Sequence, residues 1–293
     1  MRVIEKGTWQ CSPLDKQRRG KPITDSGGNI WLRNRLYPLM MLLSRTKVRC
    51  KIEAENSYKP LQDKPIIFAA NHSAFLDTPI MLRATGRRSY IFAGKQRLLF
   101  EDWLFFVLNG AVWVDRRSRE DMAASKAALL EYLARGQSIL WFPEGTWNLT
   151  PSQLMMPMRW GIIDTACQAA AQIIPAALDY DRENNICRVK FGAPLAGNAL
   201  ENKEEAIRSL RDAMATLRWE LMSRQKPLPR RETSVAQLQH EMYRVIDEYP
   251  PLDWEYERSC IYRPYPAPEE VFAHVSQLVL CKENAFLLGK YSK

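Results

Sequence analysis

Apolar and polar positions along the chain follow two distinct rhythms. Short apolar runs at Ile66-Ile67-Phe68-Ala69-Ala70, Tyr90-Ile91-Phe92-Ala93, Ala111–Val114 and Ser138–Phe142 each end in a polar cluster, the pattern of buried strands that deliver loops. Val48–Ile52, Ile173–Tyr180 and Ile186–Phe191 read as further strands. Between them, apolar residues recur at three- and four-residue steps. Met122, Leu129, Leu130 and Leu133 line a helix that opens at Ser118, with Asp121 completing a capping-box-like start, and stops at Gly136. Asn202 with Glu205 caps a longer helix striped by Ile207, Leu210, Met214, Leu217 and Leu221. Thr78 as N-cap with Pro79 at the first helical position predicts a helix running to about Ala84, and residues 161–171 predict another. Leu98–Leu108 is apolar almost all round, which suits a helix that is either fully buried or facing lipid or an acyl chain. The alternation of strand and helix from 48 to 224 predicts an α/β domain, with a mixed, largely parallel sheet flanked by helices.

The ends of the chain depart from this alternation. Residues 1–28 are charged and broken by Pro13, Pro22 and Gly27-Gly28, as an extended lead-in would be. The domain proper is expected over 29–225. Its opening segment 29–46 reads as a helix with Trp31, Leu32, Leu36, Leu39, Met40 and Leu43 apolar and Arg33, Arg35 and Arg45 basic. Two readings stay open: a basic amphipathic helix in a membrane interface, or a core-packing helix kinked at Pro38. After a linker at Lys226–Arg231, residues 226–293 form a small, mainly helical appendage whose role the residues do not disclose, with helices near Val235–Tyr249 and Pro268–Leu278.

Composition narrows the partners. A net charge of +9 across 293 residues implies an acidic one: nucleic acid, an anionic membrane surface or a phosphorylated substrate. No nucleic-acid module is recognisable, so no nucleic-acid partner is expected. Six cysteines stand without a CxxC pair and histidines number three, so reduced thiols and no metal site are expected. The start of the chain carries no apolar leader, and Leu36–Leu43 falls far short of the roughly 20 residues that span a bilayer. The expectation is a cytoplasmic protein held peripherally at the inner face of a membrane.

The candidate chemistry lies at the strand ends. In Asn71-His72-Ser73-Ala74-Phe75-Leu76-Asp77, His72 and Asp77 flank one tight turn. A carboxylate that accepts the imidazole Nδ1 proton fixes the tautomer and leaves Nε2 as a general base. The plainer alternative is that both residues serve the start of the following helix. Lys95 follows a second strand, Arg116 a third, and Glu144-Gly145-Thr146 a fourth. There is no GxSxG elbow, GxGxxG turn or Walker-type loop, which sets aside serine hydrolases, Rossmann enzymes and P-loop NTPases. A base, several cations and a glycine along one rim suit the activation of a hydroxyl beside an anionic group.

These residues resemble the glycerolipid acyltransferase family, which includes lysophosphatidic acid acyltransferases. Asn71-His72 through Asp77 matches its NHxxxxD motif, and Gly110–Arg116 is similar to its GxxFIxR block. Phe142-Pro143-Glu144-Gly145-Thr146 resembles its FPEGT block, and Ile174-Pro175-Ala176-Ala177 its apolar-proline block. The resemblance spans about Ile30 to Gly192. It implies transfer of a fatty acyl group from a thioester on coenzyme A or acyl carrier protein, a cosubstrate rather than a bound cofactor, to a lysolipid hydroxyl. 1-Acylglycerol-3-phosphate is the leading acceptor. His72 would be the base and Asp77 its orienting partner. Asn71, Ser73, Lys95, Arg116, Glu144, Gly145 and Thr146 would bind substrate, with Arg116 on the acceptor phosphate and Lys95 beside the oxyanion. One departure stands out. Trp147 follows Thr146 where the family usually has arginine. Either Arg159 or Arg117 substitutes for that cation, or the acceptor is another lysophospholipid or glycolipid. A non-catalytic lipid-binding protein on the same fold is the remaining alternative.

Overall fold

Ile66–Ala70 is buried along its whole length because it sits mid-sheet with a hydrophobic layer on either face. Ile66, Phe68 and Ala70 join one core with Ile80, Met81, Phe105 and Phe106. Ile67 and Ala69 join the other with Leu129, Ile162 and Leu210. The two-residue period of a strand divides the run between the two layers, and an uninterrupted apolar sequence is what such a strand requires.

The computed structural model describes residues 8–10, 31–55, 58, 64–94, 97–149, 153–225, 234–247, 249, 253–259 and 261–262. Its strands are β1 (Thr8–Gln10), β2 (Lys51–Glu55), β3 (Ile66–Ala70), β4 (Tyr90–Gly94), β5 (Arg97–Leu99), β6 (Val112–Val114), β7 (Ile139–Trp141), β8 (Gln172–Asp181) and β9 (Ile186–Phe191). The helices are α1 (Trp31–Lys47), α2 (Asp77–Thr85), α3 (Phe100–Asn109), α4 (Arg119–Ala134), α5 (Gly161–Gln168), α6 (Lys203–Met222), α7 (Val235–Asp247) and α8 (Trp254–Ser259). Seven strands form one sheet in the order β2-β9-β8-β3-β7-β4-β6. Neighbours are parallel except β8 and β9, so the sheet is mixed and mostly parallel, as the alternating pattern predicts. β1, within the expected extended lead-in, pairs antiparallel with β5. Because β3, β7, β4 and β6 are adjacent and parallel, their carboxyl ends share one rim, and all the candidate residues follow those ends.

Three local departures from the sequence reading have physical causes. First, α2 opens at Asp77 with Leu76 as N-cap and no side-chain cap, so Thr78 is not the capping residue. The Asp77 carboxylate already takes the backbone N–H groups of Ser73 and Ala74, which closes the turn one residue earlier. Second, the strand expected at Val48–Ile52 starts at Lys51, because the Val48 N–H still donates to Ser44 O at 2.9 Å and prolongs the last turn of α1. Third, the appendage gains α8 between the two helices expected there, while the helix expected at Pro268–Leu278 lies outside the described residues.

The two readings of α1 each describe one side of it. Inward, Tyr37 and Met40 enter the core and Arg33 is fully buried. The Arg33 guanidinium donates to Asn109 O and to Arg88 O, the latter at 2.6 Å, and lies 3.8 Å over the Tyr90 ring. Gly110 permits that approach. Its φ is +80°, and a Cβ there would meet Arg33 Cδ at 3.0 Å. Outward, Trp31, Leu32, Leu39 and Leu42 are exposed, together with Arg35 and Arg45. α3 is mostly core, with Phe105, Phe106 and Leu108 buried and Phe100 exposed at its start.

Contacts group residues 1–261 into one unit, and Tyr262–Lys293 form a second. Within the first unit Tyr249 stacks on Phe75, with ring centroids 3.9 Å apart, and accepts a hydrogen bond from Leu99 N–H at 3.3 Å.

Candidate active site

β3 ends at Ala70, and Asn71 extends its pairing by side chain. The Asn71 Oδ1 accepts from Leu178 N–H at 2.8 Å and its Nδ2 donates to Leu178 O at 3.1 Å, so a fully buried amide replaces one backbone unit against β8. That lock fixes where the chain leaves the sheet. Six residues after Asn71, Asp77, also fully buried, returns to the same turn. Its Oδ2 lies 2.8 Å from His72 Nδ1 and accepts the N–H groups of Ser73 at 2.5 Å and Ala74 at 2.8 Å. Its Oδ1 accepts the Tyr180 hydroxyl at 2.5 Å. Burial and the neighbouring Asp77 push the Tyr180 phenol well above its ordinary range, which keeps it a donor. The plainer reading holds only in part: Asp77 stands in the first turn of α2, but no side chain caps that helix, and the carboxylate is turned to the imidazole and to the turn.

The imidazole is clamped on its other sides. Its ring stacks on Phe142 at 4.2 Å and meets the edge of Trp147 at 5.8 Å. Its backbone N–H donates to Glu144 Oε1 at 3.2 Å, and its carbonyl accepts Asn148 N–H at 2.6 Å. With Nδ1 committed to Asp77, Nε2 has no hydrogen-bond partner among the described residues, and 18% of the side chain remains exposed. A carboxylate-oriented, partly exposed imidazole whose far nitrogen has no partner among the described residues has a geometry suited to a general base.

Glu144 holds two loops together. It is fully buried, and its second oxygen accepts Met156 N–H at 2.7 Å. Burial pushes its carboxyl up to about 7 against the opposing pull of those two backbone N–H groups. Gly145 beside it has φ +74°, a conformation that glycine adopts readily. The buried Thr146 hydroxyl has no hydrogen-bond partner among the described residues.

Arg116 reaches the same loop from β6. Its Nη1 donates to Gly145 O, and its guanidinium packs so closely on Gly94 that a Cβ there would fall 2.6 Å from Nη2. Arg159 Nε lies 3.2 Å from where a Cβ on Gly145 would stand, with Arg116 Nη1 at 3.7 Å, so two guanidinium groups flank this glycine. Arg117 is exposed and donates to Ser259 Oγ at 2.7 Å. Trp147 is buried against the imidazole and does not project into solvent.

The fold thus brings His72, Asp77, Glu144, Gly145 and Arg116 to one rim, and Ser73 contributes through its backbone. Asn71 faces β8 rather than the open rim, and Lys95 lies outside the described residues. Sequence reasoning missed Tyr180, whose role follows only from register: β8 pairs Ala176 with Ala70 and then runs on past the end of β3. It also missed Glu257, which pairs with Arg116 at 3.2 Å from 141 positions away.

The raised Glu144 pKa has a measurable consequence. Between about pH 4.5 and 7 the native state keeps a proton that the unfolded chain has released, so this contribution to stability falls as pH rises through that window, by up to about 1.4 kcal/mol per pH unit. Urea denaturation from pH 5 to 7 should give a stability difference between wild type and Glu144→Gln that declines with pH. A difference that stays flat contradicts the raised pKa.

Comparison with known proteins finds a family match over the same stretch of chain. The family model described as Acyltransferase matches residues 49–179, which include the ends of β3, β4, β6 and β7. The 1-acyl-sn-glycerol-3-phosphate acyltransferase of Saccharomyces cerevisiae is 30% identical over 152 residues, covering 50% of this chain and 48% of the yeast protein. That of Neisseria gonorrhoeae is 31% identical over 131 residues, covering 42% and 48%. The chain thus spans about half the length of these curated relatives. The crystal structure of the 1-acyl-sn-glycerophosphate (LPA) acyltransferase PlsC from Thermotoga maritima shares the fold, with a TM-score of 0.51 at 18% identity over 67% of this chain and 83% of that one. Residues 49–179 of this chain are similar to the Acyltransferase family, and the polar blocks at the strand ends lie within that segment.

Proposed function

We propose that this chain transfers a fatty acyl group from an acyl thioester, on coenzyme A or acyl carrier protein, to the free hydroxyl of a lysolipid, with 1-acylglycerol-3-phosphate as the acceptor. The observation that carries this reading is the 2.8 Å contact between His72 Nδ1 and a fully buried Asp77, with no partner for Nε2 among the described residues. A thioester is already activated, so the reaction needs a base for the acceptor hydroxyl and no enzyme nucleophile. His72 Nε2 takes the hydroxyl proton as the oxygen attacks the thioester carbonyl. The tetrahedral intermediate then expels the thiolate, which receives that proton from the imidazolium, and ester and thiol leave. No resident metal or cofactor enters this scheme.

Arg116 and Arg159, which flank Gly145, supply the positive charge for the acceptor phosphate. Arg159 brings a guanidinium to Gly145, two residues before Trp147, the position where the family usually has arginine. A second reading, another lysolipid acceptor, is favoured by Trp147 itself, because its ring is buried on the imidazole where a charged side chain would be expected.

The lipid acceptor resides in a bilayer, and α1 offers a face for reaching it. Trp31, Leu32, Leu39 and Leu42 are exposed beside Arg35 and Arg45, the mixture of apolar and basic groups that binds an anionic interface. Among the described residues, no helix is long and apolar enough to cross a membrane. The membrane association proposed is peripheral.

Thiol release from acyl-coenzyme A and acyl carrier protein, assayed with a panel of lysolipids, tests the activity. Acceptor-dependent release is expected from wild type, with kcat lowered at least about 100-fold in His72→Ala; full activity in that variant, or no response to any acceptor, contradicts the reading. Flotation with anionic vesicles tests the surface. The double variant Leu39→Glu, Leu42→Glu should lose most of its vesicle binding, and undiminished binding would remove α1 from the membrane face.

A further inference from the structure

The cation assigned to the acceptor's phosphate already has an anion of its own. Glu257 on α8 places Oε1 at 3.2 Å and Oε2 at 3.5 Å from Arg116 Nη2. The pair is largely out of solvent, with side chains 10% and 7% exposed, so solvent screens it far less than a surface ion pair. α8 also reaches the next residue, since Arg117 donates to Ser259 Oγ. The whole interaction is built on the strand-end rim: Arg116 donates its other Nη to Gly145 O and rests on Gly94.

Arg116 and Arg159 both stand against Gly145, and Glu257 brings a carboxylate to Arg116. Two guanidinium groups match a phosphomonoester dianion, while a carboxylate is a single charge of similar hydrogen-bonding geometry. We propose that Glu257 is an acceptor-selectivity residue whose carboxylate occupies the anion seat on Arg116, so that an acceptor bearing a phosphomonoester binds only by displacing it. An acceptor without that phosphate leaves the Arg116–Glu257 pair intact. Selection of this kind works through competition within the site rather than through a contact added to one substrate. The inference rests on the acyl-transfer reading and extends it to the acceptor's head group.

Glu257→Gln keeps the shape of the side chain and removes its charge. With this variant, KM for 1-acylglycerol-3-phosphate should fall about tenfold while kcat stays within about twofold, and KM for 1-acylglycerol, which lacks the phosphate, should not move. The effect should vanish when Arg116→Ala is added, because the seat itself is then gone. Calorimetry with glycerol 3-phosphate gives a readout independent of turnover, and its affinity for Glu257→Gln should exceed that for wild type by a similar factor. If the variant leaves KM and glycerol 3-phosphate affinity unchanged, or weakens both, Glu257 merely holds Arg116 in place and the proposal is overturned. If neither wild type nor variant acylates any acceptor, the acyl-transfer reading falls, and the calorimetry alone then decides whether Glu257 competes for the anion seat.

Discussion

A single buried carboxylate organises this site. Asp77 has no solvent exposure and receives four donors: the His72 ring, two backbone N–H groups of the intervening turn and the Tyr180 hydroxyl. An unpaired carboxylate at such depth would carry a desolvation cost of several kcal/mol, and each of the four donors would be left unsatisfied without it. The requirement is mutual, and it sets the turn. It draws residues 72–77 into a closed loop, starts α2 at Asp77 rather than at a side-chain cap, and ties the end of β3 to the end of β8 through Tyr180.

The parallel sheet carries that local order along the rim. β3, β7, β4 and β6 lie side by side in the same direction, so the loops after them are neighbours although their sequences are 20 to 70 residues apart. Glu144 joins the loop after β7 to the backbone of His72, and Arg116 joins the loop after β6 to Gly145. His72, the loop after β7 and Arg116 thus form one connected polar network, in which moving one member displaces the next. Glu257 adds a contribution from outside residues 49–179, so the chain beyond the matched family segment also shapes the site.

Much of this was legible in the sequence because the signals are local. Unbroken apolar runs such as Ile66–Ala70 mark strands buried on both faces, and three- and four-residue stripes mark the helices that cover them. Three blocks at strand ends and the apolar-proline block Ile174–Ala177 carried the resemblance, and the polar clusters after four strands were enough to expect a common rim. What escaped depends on register and distance. Tyr180 looks like an ordinary strand residue until its pairing partner is known, and nothing near Glu257 signals Arg116. Thr78-Pro79 is a sound capping signal that loses to a stronger local interaction, the Asp77 carboxylate on the turn. α1 resisted a single assignment because both its sides carry apolar residues, one packed on the core and the other exposed.

The claim on which the rest turns is that Asp77 fixes the His72 tautomer. Long-range proton–nitrogen correlation spectra of protein labelled with nitrogen-15 histidine read this directly at a pH where the ring is neutral. With three histidines in the chain, the His72→Gln variant identifies the relevant signals. The expected spectrum shows His72 protonated on Nδ1, with Nε2 bare. A His72 ring protonated on Nε2 would mean that Asp77 does not orient the base, and the catalytic assignment would fail with it.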